Sequence, residues 1–304
     1  MAVVIEATDQ SLLEIIDHVR AALESGASTI EIRALDPDRA RGCYPGELVD
    51  GRVHRPYRVW IELAERLGLR MLTPRLEGEL VRLRFERLDP DRRLRPAAGD
   101  VTEKYGATSE FARISKHEEP GFALDLADAL ARVQLAEGAR ILDLGVNTGD
   151  ELALAMALVP ALAEASFVGI DHSASAIAVA RARFDARVSL HVADLGSLDA
   201  LGLGTFDLVI SIGTLQSPGV DDRELVRRVV QRHLTPTGAV IFGFPNCRYV
   251  DGELVHGARM VNFRQPELGL LVKDIAFYRK YLQQHHRRVF VTGQHYLFVT
   301  AIRE

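Results

Sequence analysis

A doubly wound, mostly parallel α/β sheet with an antiparallel C-terminal hairpin, preceded by a small α/β domain, is the fold class this sequence predicts. Three observations predict it. From residue 140 onward, short apolar runs at 140–144, 166–170, 188–192, 206–212 and 239–244 alternate with helical stretches. That is the pattern of parallel strands joined by crossover helices. Near the end, apolar runs at 288–292 and 295–302 are separated only by Gly293 and Gln294, a hairpin spacing. Finally, residues 89–104 hold Asp-Pro-Asp-Arg-Arg-Leu-Arg-Pro and then Ala-Ala-Gly-Asp, proline and charge without periodicity. Such a stretch reads as a linker that sets the first 98 residues apart.

Within that first part, residues 2–7 read as a short strand. Thr8 and Asp9 are cap candidates for a helix to about Glu24, with Leu12, Leu13, Ile15, Ile16, Val19 and Leu23 on one face and Gly26 beyond its end. Residues 29–34 alternate as a half-buried strand. Residues 36–55 read as a long loop, and Pro56 suits the first turn of a second helix carrying Val59, Trp60, Leu63 and Leu67. One or two strands follow within 69–88. The predicted organisation is a small α/β domain at 1–98, a linker and covering segment at 99–120, and a larger domain at 121–304, opening with a helix at about 121–134.

Bulk properties narrow the function classes. Of 304 residues, 47% are hydrophobic and 26% charged, enough for a real core and far from disorder. A net charge of -5 supplies no overall field toward nucleic acid or anionic membrane. Two distant cysteines, Cys43 and Cys247, make neither a disulfide framework nor a metal cluster. The N-terminus carries no basic and apolar leader, and no apolar run approaches the ~20 residues of a membrane helix. A cytoplasmic protein is the expectation. Asp221 and Asp222 invite a metal reading, but Asp221 lies three residues before Glu224 and just ahead of Leu225, Val226 and Val229, the place of a helix cap. No metal is predicted. The run His285-His-Arg-Arg288 reads equally well as a phosphate contact or as a solvated helix end with cations near its negative pole.

The chemistry lies at strand ends. Ile141-Leu-Asp-Leu-Gly-Val-Asn-Thr-Gly-Asp150 is a buried strand, a glycine loop and the start of a helix. Glycine there lets a ligand approach the backbone, and the helix start offers unpaired N–H groups. The next strand ends Phe-Val-Gly-Ile-Asp171, where a carboxylate can accept both hydroxyls of a ribose. The third ends His-Val-Ala-Asp194, placed to meet an exocyclic amine. The fourth runs Phe-Asp-Leu-Val-Ile-Ser211-Ile-Gly213. Open parallel sheets bind ligands outside the carboxyl ends of their strands. Each Asp also suits a helix cap, so no single residue carries the reading.

Taken together, this set resembles the class I S-adenosylmethionine-dependent methyltransferases over about residues 120–304. Asp143-Leu-Gly145-Val-Asn147-Thr-Gly149 is similar to their first motif, Asp171 to their ribose-binding acid and Asp194 to their adenine-side acid. The terminal hairpin resembles their antiparallel seventh strand. The resemblance implies a Rossmann-like sheet, S-adenosyl-L-methionine as cofactor and an enzyme, a methyltransferase. It implies cofactor contacts from Asp143, Gly145, Asn147, Gly149, Asp171, His172, Asp194, Ser211 and Gly213. The family's middle glycine is Asn147 here, a residue that tolerates left-handed backbone better than most.

Methyl transfer is an in-line displacement for which a protein holds the acceptor close and supplies a base where the acceptor carries a proton. The long link 245–272 is placed to bind that acceptor, with Asn246, Arg248, Tyr249, His256 and Arg259 as candidates. No catalytic residue is singled out. A small-molecule acceptor is the leading reading. The alternatives are an RNA or protein methyltransferase that reads its substrate with the N-terminal domain, and a non-catalytic cofactor-binding or assembly protein. Residues 1–98 hold 16 Arg against 17 acids, so that domain is not basic overall, which weighs against the RNA reading. A homodimer is open.

Overall fold

The computed structural model describes residues 3–38, 42–94, 98–256 and 268–304. The chain forms two compact units, Met1–Arg93 together with Tyr249–Val255, and Leu94–Arg248 together with His256–Glu304.

The first unit contains β1 (Val3–Glu6), α1 (Leu12–Glu24), β2 (Thr29–Leu35), a short hairpin of β3 (Leu48–Val49) and β4 (Arg52–Val53), α2 (Tyr57–Arg66), β5 (Leu69–Glu77) and β6 (Leu80–Arg87). Its main sheet has the order β1-β2-β6-β5, with β1 parallel to β2 and the other pairs antiparallel. Helix α1 starts later than Thr8 and Asp9 suggest. Ser11 accepts from the Glu14 amide at 3.3 Å and the Glu14 carboxylate accepts from the Ser11 amide at 2.7 Å. This reciprocal box satisfies two orphan donors, which a lone cap at Thr8 or Asp9 does not.

Ile15 and Val19 of α1 and Trp60 of α2 pack on Ile30, Ile32, Val81, Leu83 and Phe85, all essentially buried. Alternate residues turn the other way and form a charge ladder. Arg33 pairs with Glu6 at 2.9 Å and with Glu77 at 3.0 Å, and Arg82 pairs with Glu77 at 2.6 Å and with Glu31 at 3.0 Å. Each such pair contributes little alone. The ladder does make a one-residue slip costly, because a slip would carry these charges into the core.

Tyr249–Val255 joins this unit through Asp251, which is 9% exposed and holds a left-handed φ of 48°. Its carboxylate takes Arg70 at 2.7 Å, Arg92 at 2.7 Å and the Asp89 amide at 3.2 Å. Asp251→Ala should lower unfolding stability by about 2 kcal/mol, between the values for exposed and buried pairs since Arg92 stays largely in water. Denaturant melting measures this, and an unchanged midpoint would contradict it.

The second unit continues with α3 (Pro120–Val133), β7 (Arg140–Leu144), α4 (Asp150–Leu158), β8 (Ser166–Asp171), α5 (Ala174–Arg183), β9 (Val188–Val192), β10 (Phe206–Ile212), α6 (Asp222–Arg228) and β11 (Leu234–Pro245). The paired strands β12 (Cys247–Val250) and β13 (Glu253–His256) follow in the chain, with Tyr249–Val255 of them grouped with the first unit, and the second unit resumes with α7 (Leu268–Gln284), β14 (Arg287–Thr292) and β15 (Tyr296–Arg303). The seven-stranded sheet has the order β14-β15-β11-β10-β7-β8-β9. Strands β7 to β11 are mutually parallel, and β15 runs antiparallel to both β11 and β14. The strand order reverses between β7 and β10, which makes their carboxyl ends the switch point where such sheets bind ligands.

Both faces of this sheet are covered, which is why its strands are continuously apolar. Ile141, Leu208 and Ile210 point to one side with Phe122, Phe167 and Phe298. Leu142, Val209, Phe242 and Phe244 point to the other with Tyr278. Asp221 caps α6, accepting from the Glu224 amide at 3.1 Å. A π-helical turn, Val229–His233, follows and buries His233 between Asp199, 2.8 Å from Nε2, and the Gly204 carbonyl, 3.2 Å from Nδ1. The basic run after α7 is only partly solvated. Arg287 is 4% exposed and donates to the Gly238 carbonyl, so a polar partner inside the fold holds it there rather than helix-end hydration. No helix among the described residues is long and apolar enough to cross a membrane.

Candidate functional site

The predicted residues gather along the carboxyl edge of the parallel strands. After β7 the backbone turns sharply, with Gly145 at φ 83°, Asn147 at φ 47° and Gly149 at φ 85°. Asn147 therefore adopts the left-handed backbone that the position demands. Its side chain supports that turn by donating to the Tyr105 carbonyl at 2.8 Å and accepting from the Thr148 amide at 2.9 Å. The two glycines are fixed by contact as well as by φ. A Cβ on Gly145 would lie 2.0 Å from Thr214 Oγ1, and one on Gly149 would lie 2.3 Å from the Phe184 ring.

Asp171 ends β8, is 9% exposed, and anchors the loop. One oxygen accepts from the Asn147 amide at 3.0 Å and the other from the Ser173 amide at 2.8 Å. An ionised carboxylate has about four acceptor positions, and these bonds use two of them. His172 is exposed beside it. Asp194 is exposed and caps a 3-10 turn, Leu195–Leu201, through the Gly196 amide at 2.6 Å. Ser211 is fully buried and donates to the Leu144 carbonyl at 3.1 Å, a tie between β10 and β7 beneath the edge. Gly213 follows β10 at φ 72°, its amide on the Gly243 carbonyl at 2.8 Å.

Asp143 is the unusual member. It is 1% exposed, and its Oδ2 has no hydrogen-bond partner. Burial first, then the carboxylates of Glu151 and Asp171, push its pKa well above the usual carboxylate range, while Lys116 opposes them. Lys116 pairs with Glu151 in the first turn of α4 and lies 5.3 Å from the Phe122 ring centre and 5.7 Å from that of Tyr296. Burial works against its ammonium, but Glu151 more than compensates and its pKa is raised. His117 sits alongside, with Nε2 3.1 Å from the Asp150 carbonyl.

The segment before α3 is built of three 3-10 turns, Val101–Glu103, Glu110–Arg113 and Lys116–Glu118. Glu103 docks it beside Asp171. Its carboxylate takes the Ser175 amide at 3.1 Å, the Ser173 hydroxyl at 2.8 Å and the Ser175 hydroxyl. The Ser175 bonds, then Ser173, hold the Glu103 pKa below its ordinary value. A lowered folded pKa means that the docking is fully present above the unfolded value of ~4.3 and is lost as pH falls through the folded one. The protection of amides 101–113, taken relative to their intrinsic exchange rate at each pH, should therefore fall as pH drops through the lowered Glu103 pKa. Glu103→Gln should lower it already at neutral pH, and equal protection in the variant would contradict this.

Among the acceptor candidates, Asn246 is 6% exposed and closes the end of β11. Its amide donates to the His295 carbonyl at 2.8 Å and its side chain to the Gln294 carbonyl at 3.0 Å. His256 sets its ring edge-on to His295 with centroids 5.4 Å apart. Arg248 lies on β12 in the same unit, whereas Tyr249 groups with the N-terminal unit. Arg259 lies outside the described residues. Cys247 is 4% exposed, and burial pushes its thiol up to about 12, which removes it as a nucleophile. Among the described residues, no three or more His, Cys, Asp or Glu side chains are grouped to hold a metal.

Sequence reasoning missed Glu103, Lys116, Glu151, Thr214 and His295. Ser173-Ala-Ser175 after the strand-end acid was a signal for an incoming acceptor. Lys116, one of few lysines in an arginine-rich chain, was a weaker one.

Residues 141–238 match the methyltransferase-domain family. No curated protein matches the chain. Solved structures similar to it include a complex of the Haloferax volcanii Trm112 methyltransferase activator with a protein described as a methyltransferase, at 17% identity and TM-score 0.47 over 68% of this chain and 99% of that one. An S-adenosylmethionine-dependent methyltransferase from Aquifex aeolicus has 17% identity and TM-score 0.45 over 64% and 98%. The magnesium protoporphyrin IX methyltransferase of Synechocystis PCC 6803, with bound S-adenosylmethionine, has 17% identity and TM-score 0.41 over 60% and 80%.

Proposed function

We propose that this chain, which carries a class I S-adenosylmethionine-dependent methyltransferase domain, transfers the methyl group to a small-molecule acceptor through the strand-edge site. The observation that carries the cofactor assignment is the orphaned Asp143 oxygen, buried beside a loop whose two glycines cannot accept a Cβ. An unpaired buried carboxyl costs about 1–3 kcal/mol unless a ligand completes it, and the ammonium of the cofactor's amino-acid end is such a ligand.

In this reading the remaining acceptor positions of Asp171 take the ribose hydroxyls, with His172 beside them. Asp194 and the backbone after it face the adenine side. Gly145, Asn147 and Gly149 shape the loop, while Gly213 and the Ser211 tie set the end of β10. Bound S-adenosylmethionine supplies an activated methyl group. The chain orients the acceptor against it from the Asn246, Arg248 and His256 side of the second unit. The covering segment, held by Glu103, excludes water from the edge.

The net charge of -5 supports a small acceptor over nucleic acid. Titration calorimetry with S-adenosylhomocysteine tests the cofactor site, and transfer of radiolabelled methyl into metabolite, RNA and protein fractions tests the acceptor class. Label in the metabolite fraction is expected. Label confined to RNA or protein would replace this acceptor class with that one.

A further inference from the structure

We propose that the N-terminal unit carries an anion site of its own, in which Arg55 and the indole N–H of Trp60, at the start of α2, hold a carboxylate or phosphate group of a small molecule. The site belongs wholly to the first compact unit and does not depend on the methyltransferase reading.

Its place follows from the sheet. Strands β1 and β2 are parallel and joined by α1. Open parallel sheets bind ligands outside the carboxyl ends of their strands, and Arg55 reaches that end of β1. Its Nη1 donates to the carbonyl of Ala7, the residue after β1, at 3.3 Å, and its Nη2 to the Gln10 carbonyl at 2.5 Å. The residue is 7% exposed, yet both bonds go to neutral carbonyls. Asp36, buried just after β2, accepts from the Asp38 amide at 3.0 Å. Burial alone acts on the Arg55 pKa, which it lowers, and no carboxylate offsets it. A guanidinium stays charged and has five N–H donors, so donors remain after the two carbonyls. A charge taken out of water without a counter-ion is costly.

The second donor comes from α2. Trp60 is 1% exposed, and its indole nitrogen has no hydrogen-bond partner. That N–H can only donate, and a buried donor left unpaired is destabilising. The Arg55 guanidinium carbon lies 5.9 Å from the Trp60 ring centre, within the span of one small group. The backbone acts in the same sense. Helix α2 begins after Pro56, which makes no side-chain cap, and its first turn contains no acid. The unpaired N–H groups and positive dipole end of such a helix start favour an anion. Helix side chains lean toward the N-terminus, which carries Trp60 back over that first turn. Guanidinium, indole N–H and helix start are all donors, and the ligand that completes them supplies acceptor oxygens and negative charge.

Trp60 is the one tryptophan of the chain, so its emission reports on the site directly. The full chain is titrated with inorganic phosphate and, separately, with acetate, against sodium chloride at equal ionic strength. A saturable change in emission is expected with at least one of the two. Phosphate alone would assign a phosphate-bearing ligand, and acetate alone a carboxylate. Arg55→Met should raise the titration midpoint by about 10-fold or more, the loss of a charge-assisted bond. Arg55→Lys keeps the charge but not the planar fork and should raise it by a smaller factor. Trp60→Phe keeps a ring in the core and removes the N–H. The rise in melting temperature that the anion gives the wild-type chain should shrink in that variant. No saturable change with either anion overturns the proposal, as does a wild-type midpoint in a folded Arg55→Met. Should Arg55→Met fail to fold, Arg55→Lys and Trp60→Phe decide, and anion stabilisation equal to wild type in both overturns it.

Discussion

Asp171→Ala should weaken S-adenosylhomocysteine binding by roughly 100-fold or more, with the fold retained. The residue does two things at once. Its oxygens hold the Asn147 and Ser173 amides, and in the proposed reading its remaining acceptor positions take the ribose hydroxyls. Charge-assisted hydrogen bonds of this kind contribute about 1.5–3 kcal/mol each. Losing two of them costs about 3 kcal/mol or more, which is over 100-fold in Kd. Two amides also lose their acceptor, so the loop carrying Asn147 should exchange faster in the variant. Asp171→Asn separates the two parts, because one carbonyl oxygen can still take an amide while the charge is gone. Calorimetry on both variants checks the order, Ala weaker than Asn and Asn weaker than wild type. Unchanged binding in Asp171→Ala would leave the strand-end acid without a ligand role.

The second large effect is expected at Gly145. An alanine there must hold φ 83°, costing about 1–2 kcal/mol. It must also place its Cβ 2.0 Å from Thr214 Oγ1 and 2.8 Å from Thr214 Cβ and Cγ2. Overpacking of that severity costs about 1–3 kcal/mol. Gly145→Ala should therefore lose roughly 2–5 kcal/mol of stability, the sum of the two. Thr214→Gly in the same chain should return the steric part and leave the backbone part. Denaturant melts of the two single variants and the double variant give the coupling, expected at about 1–3 kcal/mol. Additive effects, with no coupling, would mean that Thr214 does not press on the loop.

The parallel strands of the large unit were legible because burial on both sides leaves short continuous apolar runs between helices. Strands at 140–144, 188–192 and 206–212 have the bounds read from the sequence. β11 was legible only in part: the run at 239–244 lies within it, but it extends back to Leu234 through Thr-Pro-Thr-Gly. Its register shift against Phe206 and Leu208 lets it pair where the apolar pattern has already lapsed. The hairpin β3–β4 is two residues a side and too short for periodicity to mark. The membership of Tyr249–Val255 in the N-terminal unit is a tertiary fact, carried by Asp251 meeting Arg70 and Arg92, and nothing local signals it. Arg287 looked solvated because arginine usually is, and only the Gly238 carbonyl explains its burial.

The site was legible in a similar, uneven way. Its glycines and strand-end acids stand in fixed relation to the strands, so sequence spacing finds them. Lys116, Glu103 and His295 reach the edge from elements distant in sequence, and only the fold brings them there. Asn147 is the instructive residue, a departure from the glycine pattern that keeps its backbone geometry and adds a bond to Tyr105.

The most direct measurement is a crystal structure of the full chain grown with S-adenosylhomocysteine. It should show the ribose hydroxyls on Asp171, the amino-acid end against Asp143, and the thioether sulfur directed toward the end of β10 and the hairpin turn. Electron density that leaves this edge empty at saturating ligand, or shows it filled by the chain's own side chains, would contradict the assignment.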